Sequence, residues 1–211
     1  MTDVAPRSDG RRDRSLRTRA RIVDAGTRLF VGRGYVGTTI EAVAEAAGVA
    51  PQTVYYVFGT KAELLRAVLG ASVVGDLEPV AVADRPWVAA LAEAGNAVAA
   101  LDVLVDGSVA ILERVAPIYA VIRAAAADPE VGVLLAETRR RRGTDQRRLV
   151  EVLAAAGHLR DGLDPGTAGD VLYGLVNEDV FLLLTADCGW DVGRFRDWLA
   201  GVLRDQLLAR S

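Results

Sequence analysis

The chain has 211 residues, 51% of them hydrophobic and 25% charged, the balance of a soluble globular protein with material for a real core in one or two domains. One cysteine, Cys188, excludes an intramolecular disulfide framework and a cysteine-rich zinc site, and makes a reducing compartment the natural setting. The net charge of -3 hides an asymmetry: eleven basic against seven acidic residues up to Gly70, a net of +4, and fourteen against twenty-one from Ala71 onward, a net of -7. A local positive field of that kind is what phosphate binding needs.

Residues 1–15 are polar and Arg-rich, with Pro6 and Gly10, and without apolar periodicity they are expected to form a disordered arm. Arg11, Arg12, Arg14 and Arg17 either are solvated there or reach DNA phosphates or a minor groove. The arginines precede no apolar segment, so no secretory signal is expected, and apolar runs such as Val180 to Leu184 are too short to span a bilayer. The expected location is the cytoplasm. Thr18 reads as the N-cap of a helix whose Ile22, Ala25, Gly26, Leu29 and Phe30 form a buried face, ended by Gly32 and Gly34. The run Gly32 to Gly37 formally matches a dinucleotide fingerprint. It follows a helix rather than a strand, and Val57 sits near the position of the required acid, so a cofactor reading fails.

The stretch from Thr38 to Lys61 carries the function. Thr38 and Glu41 have capping-box spacing, and Ile40, Val43, Ala44 and Ala47 recur at helical intervals. Gly48 stops that helix, and Pro51 falls at the first residue of a second, about Ala50 to Val57. Two helices joined this tightly describe a helix-turn-helix, whose second helix enters the DNA major groove and here exposes Gln52, Thr53, Tyr55 and Tyr56. Thr60 and Glu63 form a second capping box, launching a helix to about Val74 with Leu64, Leu65, Val68 and Leu69 on one side.

The run AGVAPQTVYYVFGTKAELL, preceded by GYVGTTIEAVAEA, resembles the DNA-binding segment of the tetracycline-repressor (TetR) family of transcriptional regulators, over roughly Thr18 to Leu65. Two positions depart from that pattern: Ala50, where the family usually has serine, and Val57, where it often has histidine. The resemblance implies an all-α fold with an N-terminal three-helix DNA-binding domain, residues 16–70, and a C-terminal helical ligand-binding and dimerisation domain, residues 71–211. DNA contacts are then expected from Thr38, Thr39, Gln52, Thr53, Tyr55, Tyr56 and Lys61. Thr39, Tyr55 and Lys61 would meet phosphates, while Gln52 and Thr53 would read bases.

Gly75 to Pro86 is turn-prone and is the expected domain boundary. Beyond it Trp87, Leu91, Ala94, Val98 and Leu101 predict one helix, broken at Asp106-Gly107-Ser108. A second follows in which Pro117 should kink or divide the chain. Asp128-Pro129 and Asp164-Pro165 read as N-caps with proline at the first helical position, so a long helix should run from Pro129 to Ala156, weakened at Gly143. The last two helices, about Pro165 to Ala186 and Asp191 to Ala209, are the most apolar. The resemblance implies that they meet a second subunit as a four-helix bundle, through Phe181, Leu184, Phe195, Trp198, Leu199 and Val202; the alternative is a core role.

Arg139 to Arg142, with Arg147 and Arg148, wraps a helix and reads as a solvated face, with an anionic effector or DNA contact as the alternative. His158 and Cys188 stand alone, and no catalytic order, phosphate loop or zinc spacing occurs, so neither enzyme chemistry, metal nor cofactor is expected. Trp87, Glu113, Tyr119, Tyr173 and Asn177 are polar or aromatic residues on apolar helices, the mixture from which sites between bundled helices are built. An apolar or aromatic small effector is expected there. Two classes follow: a dimeric regulator on a near-palindromic DNA operator, released by an effector, or a helical scaffold whose helix-turn-helix binds protein.

Overall fold

The computed structural model describes residues 9–75 and 86–209. Residues 1–8 of the expected arm, and most of the expected boundary between Gly75 and Pro86, lie outside them. The chain divides into two compact units, Met1–Ala71 and Ser72–Ser211. Every regular element among the described residues is helical.

In the first unit α1 spans Asp9–Arg33, α2 Ile40–Ala47, α3 Pro51–Phe58, and α4 starts at Lys61 and runs to Val74. Thr18 is therefore in the middle of a helix rather than at its start, and residues 9–15 are helical where composition predicted an arm. Ile22, Ala25, Phe30, Val43, Ala44, Val54, Leu64 and Leu65 are buried without remainder or nearly so. Close approach of α1 to α4 depends on Gly26, where a Cβ would stand 3.3 Å from Val68.

In the second unit the helices are α5 Pro86–Ala92, α6 Ala97–Ala124, α7 Pro129–Ala155, α8 Pro165–Leu175, α9 Glu178–Leu182 and α10 Val192–Leu207, with a π turn over Leu183–Asp187 before α10. Side chains from α5, α6, α7, α8 and α10 share one core, including Leu91, Leu101, Leu104, Leu153, Leu172, Phe195, Leu199 and Leu203. Asp128, Asp164 and Asp191 each cap the helix that follows, accepting from backbone amides of the first turn.

The predicted break at Asp106-Gly107-Ser108 does not occur. The chain interrupts the helix earlier, between Ala92 and Ala97, where Asn96 caps α6 by accepting from Ala99 N at 2.9 Å. Gly107 is instead a packing glycine, since a Cβ there would come within 2.7 Å of the Trp87 indole. Asp106 is held by Arg196 at 2.9 Å, and the same guanidinium reaches Asp102 at 3.1 Å, tying α10 to α6. Pro117 does not divide α6 either. Proline and the Glu113 it leaves without an amide donor are both exposed, so the freed carbonyl falls on the solvent side of the helix.

The penultimate helix, expected to run unbroken from Pro165 to Ala186, ends at Leu175. Asn177 starts a new one, its side-chain oxygen accepting from Val180 N at 2.9 Å while its amide donates to Gly174 O at 2.6 Å. Buried Gln146 donates to the Val176 carbonyl at 2.7 Å and so satisfies the backbone that the break exposes. No helix of the described residues is long and apolar enough to cross a membrane.

Candidate nucleic-acid interface and ligand residues

The α2–turn–α3 unit is built by local chemistry. Thr39, extended at φ -107°, ψ 157°, caps α2 through its hydroxyl, which accepts from Ala42 N at 3.1 Å. Gly48 closes α2 in the left-handed conformation at φ 62°, and Pro51 opens α3. Ala50 offers no side-chain cap, and its backbone carbonyl alone accepts from the first turn of α3, from Thr53 N at 2.9 Å. Val54 and Phe58 bury one face of α3. The opposite face carries exposed Gln52, Tyr55 at 49% and Tyr56 at 91%, with Thr53 half-buried beside them. That outward set is amide, hydroxyl and phenol, able to donate to phosphates and to pair with base edges.

Two of the expected DNA contacts are corrected by burial. Thr38 is wholly buried, and its hydroxyl donates to Leu29 O at 3.1 Å and Gly34 O at 2.8 Å. It fastens the α1–α2 connection and presents nothing to DNA; of the two adjacent threonines, Thr39 is the cap. Lys61 is half-buried, its ammonium donating to Tyr35 O at 2.9 Å and Thr38 O at 3.2 Å and lying 4.1 Å from the centre of the Tyr35 ring. An ammonium with two carbonyls and a ring face is engaged within the protein, and Lys61 so holds the entry to α2 in place.

Arg21, which the sequence did not single out, has the same kind of task. It donates to the Ala47 and Gly48 carbonyls, the last turn of α2, while Arg19 lies 4.7 Å over the Phe58 ring. Both are placed by α1, one turn apart from its buried face, and only their spacing relative to Ile22 could have signalled it. Arg14 and Arg17 are exposed on α1; Arg11 and Arg12 have no described side chains.

The five expected effector residues have different surroundings. Trp87 packs on Gly107, Glu113 is exposed, and Asn177 is spent as the α9 cap. Tyr119 is 1% exposed and its hydroxyl accepts from Arg139 Nε at 3.4 Å, which raises the basicity of that arginine. Tyr173 lines a cleft of about 500 Å³ between α7 and α8. The Arg139–Arg142 run is likewise not one solvated face. Arg142 turns inward, pairing with buried Glu178 and stacking 4.5 Å over Tyr173. Beside it burial raises the Asp145 carboxyl above its ordinary range, with Arg141 and Arg148 pulling it back.

The expected dimer residues divide by burial. Phe181, Phe195 and Leu199 lie in the core of their own unit, with Phe181 and Phe195 edge to face at 5.0 Å, so for these three the core role holds. Leu184, Trp198 and Val202 are half-buried, and Leu183, not singled out before, is 52% exposed. Among the described residues no group of three or more His, Cys, Asp or Glu gathers.

Residues 22–68 match the profile of the family described as bacterial regulatory proteins, tetR family. The HTH-type transcriptional regulator TtgR of Pseudomonas putida is 41% identical over 58 residues, which are 28% of this chain and 28% of that protein. TcmR of Streptomyces glaucescens is 34% identical over 91 residues, 43% of this chain and 35% of that one. The likeness thus spans about a quarter to a third of the length of these relatives. The fold extends further: a crystal structure from Mesorhizobium loti described as a TetR-family regulator superposes with a TM-score of 0.68 at 25% identity, over 93% of this chain and 99% of that one. A complex of SmeT with triclosan gives 0.67 at 20% identity over 92% and 93%.

Proposed function

The chain belongs to the tetR family of bacterial regulatory proteins through residues 22–68, and from that premise we propose that it is a DNA-binding transcriptional regulator acting as a homodimer in the cytoplasm. The observation that carries this reading is the α3 surface: a helix anchored by Val54 and Phe58 that turns Gln52, Tyr55 and Tyr56 outward, in a unit whose charge is positive while the rest of the chain is negative. One such head offers few base contacts, so useful specificity needs two on a near-palindromic site. Of the apolar side chains near the C-terminal end, Leu183, Leu184, Trp198 and Val202 are open enough to serve the dimer.

Repression relieved by a small molecule is the regulatory mode we propose, supported by the α-helical unit beyond Ala71 and by the fold it shares with SmeT, whose solved structure is a complex with triclosan. A ligand changes DNA affinity only through different affinity for two states. α4 is the covalent route by which such a difference reaches the head.

The test is selection of bound duplexes from random DNA, followed by titration over a range of salt. The expected result is a near-palindromic consensus, affinity that falls steeply with salt, and relaxed preference at one base position by roughly 1–3 kcal/mol in Gln52→Ala. Trp198→Asp should give monomers with poor affinity. A protein that enriches no sequence and binds without salt dependence would favour the scaffold alternative.

A further inference from the structure

The cationic stretch of α7 sorts into three directions. Arg142 goes inward to Glu178 and Arg141 toward Asp145 at 3.9 Å. Arg140, Thr144 and Arg147 then follow one another at intervals of four and three, which places them on a single face of the helix, with Arg139 beside them. That face looks across the cleft at Asp170 and Tyr173 of α8.

Charge and shape both point to an anion with a flat apolar body. Three guanidinium groups and one carboxylate line the cleft, in the part of the chain from Ala71 onward whose net charge is -7. Arg140 makes no ion pair among the described residues, and Arg147 meets Asp170 only at 3.5 Å, with both side chains more than half exposed, a pair of little strength. Guanidinium forks match a carboxylate in two parallel hydrogen bonds. A bare inorganic anion would occupy a small part of about 500 Å³, a volume in the range of small-molecule sites.

Two glycines set the walls. A Cβ at Gly169 would stand 3.0 Å from Arg147 Cγ, so glycine there lets the stem of that arginine lie against α8. A Cβ at Gly143 would stand 3.7 Å from the Tyr173 ring, and anything longer would cover it. Arg142 already occupies one face of that ring, so a ligand in the cleft meets the ring elsewhere.

We propose that the cleft between α7 and α8 binds a planar aromatic carboxylate, its carboxylate held by Arg140 and Arg147 and its ring laid against Tyr173. Its use as an effector site rests on the regulator reading above; binding itself does not. The experiment is calorimetric titration of the full chain with 2-naphthoate and with neutral 2-naphthamide, repeated on the Arg140→Gln, Arg147→Gln double variant and on Gly143→Leu. The expected result is saturable binding of one naphthoate per chain, at least tenfold weaker for the amide, at least tenfold weaker in the double variant and lost in Gly143→Leu, with helical circular dichroism unchanged throughout. Unsaturable heats with the native chain, or a weakening below tenfold in either comparison, overturn the proposal. A selected DNA duplex titrated with and without saturating naphthoate separates the two readings. Reduced DNA affinity supports the effector role, unchanged affinity removes that role while the site stands, and a chain that binds no duplex overturns the regulator reading without touching the cleft.

Discussion

Replacing Lys61 by methionine keeps the aliphatic stem and removes the ammonium, and so distinguishes a clamp from a phosphate contact. The ammonium makes two charge-assisted hydrogen bonds, each worth about 1.5–3 kcal/mol when buried, and one contact with a ring face worth about 0.5–1 kcal/mol. Half-burial of Lys61 lowers the first figure to roughly 1 kcal/mol per bond through competition with water. The sum is about 2–3 kcal/mol, which is a change of about 30- to 150-fold in the equilibrium for opening the Tyr35–Thr39 connection. Native-state amide exchange over Ile40–Phe58 reads that opening directly. The expected outcome is faster exchange by that factor in Lys61→Met, with the salt slope of DNA binding unchanged. Exchange within threefold of the native protein, together with a slope lowered by about one, would show that the ammonium is free for phosphate and refute the argument.

Gly107→Ala sets a helix-propensity gain of about 1 kcal/mol against a Cβ within 2.7 Å of the Trp87 ring. Overpacking of about 1–3 kcal/mol should win, lowering the urea midpoint without changing m, and a raised midpoint would contradict it. Arg142→Met leaves the buried Glu178 carboxylate unpaired and should cost about 3–5 kcal/mol, with Glu178→Gln in the same background recovering part of the loss in a thermal melt. The Asp164 carboxyl is held below its ordinary range, first by the Thr167 hydroxyl and then by its backbone amide. A depressed folded-state pKa gives stability that is present above the unfolded value and lost as pH falls through the folded one. Asp164→Asn, which keeps a cap but cannot titrate, should therefore flatten the decline of stability below about pH 4; an unchanged decline would exclude Asp164 as a source.

What could be read from the sequence was chemistry that acts within a few residues. Gly48 and Pro51 fixed the turn between α2 and α3, and Thr60, Asp128, Asp164 and Asp191 marked helix starts because a cap bonds to amides two or three positions on. Asn177 carried the same signal, followed by two acidic residues, but the apolar run from Val180 to Leu184 outweighed it in a reading by periodicity. Gly107 misled because its reason is Trp87, twenty positions away, and a packing glycine has the same letter as a helix stop. Thr38 and Lys61 have side chains suited to DNA, and only the fold shows that carbonyls of Leu29, Gly34, Tyr35 and Thr38 have taken them. Arg142 was hidden among identical neighbours, since its partner Glu178 lies thirty-six positions along the chain.

The interruption at Val176 and Asn177 also sets where the chain can change length. Each residue added inside an α-helix turns everything beyond it by about 100°, so one insertion in the first turn of α6 would swing Leu104, Val105, Val109 and Leu112 out of the core they share. Between α8 and α9 the rotation stops at the joint. Asn177 carries its cap with α9, so an added residue ahead of it leaves α9 and α10 in register with α6 and asks that Gln146 and the Asn177 amide find neighbouring carbonyls. Lineages of this chain can thus gain or lose a residue at 176–177 while the core on either side keeps its phase.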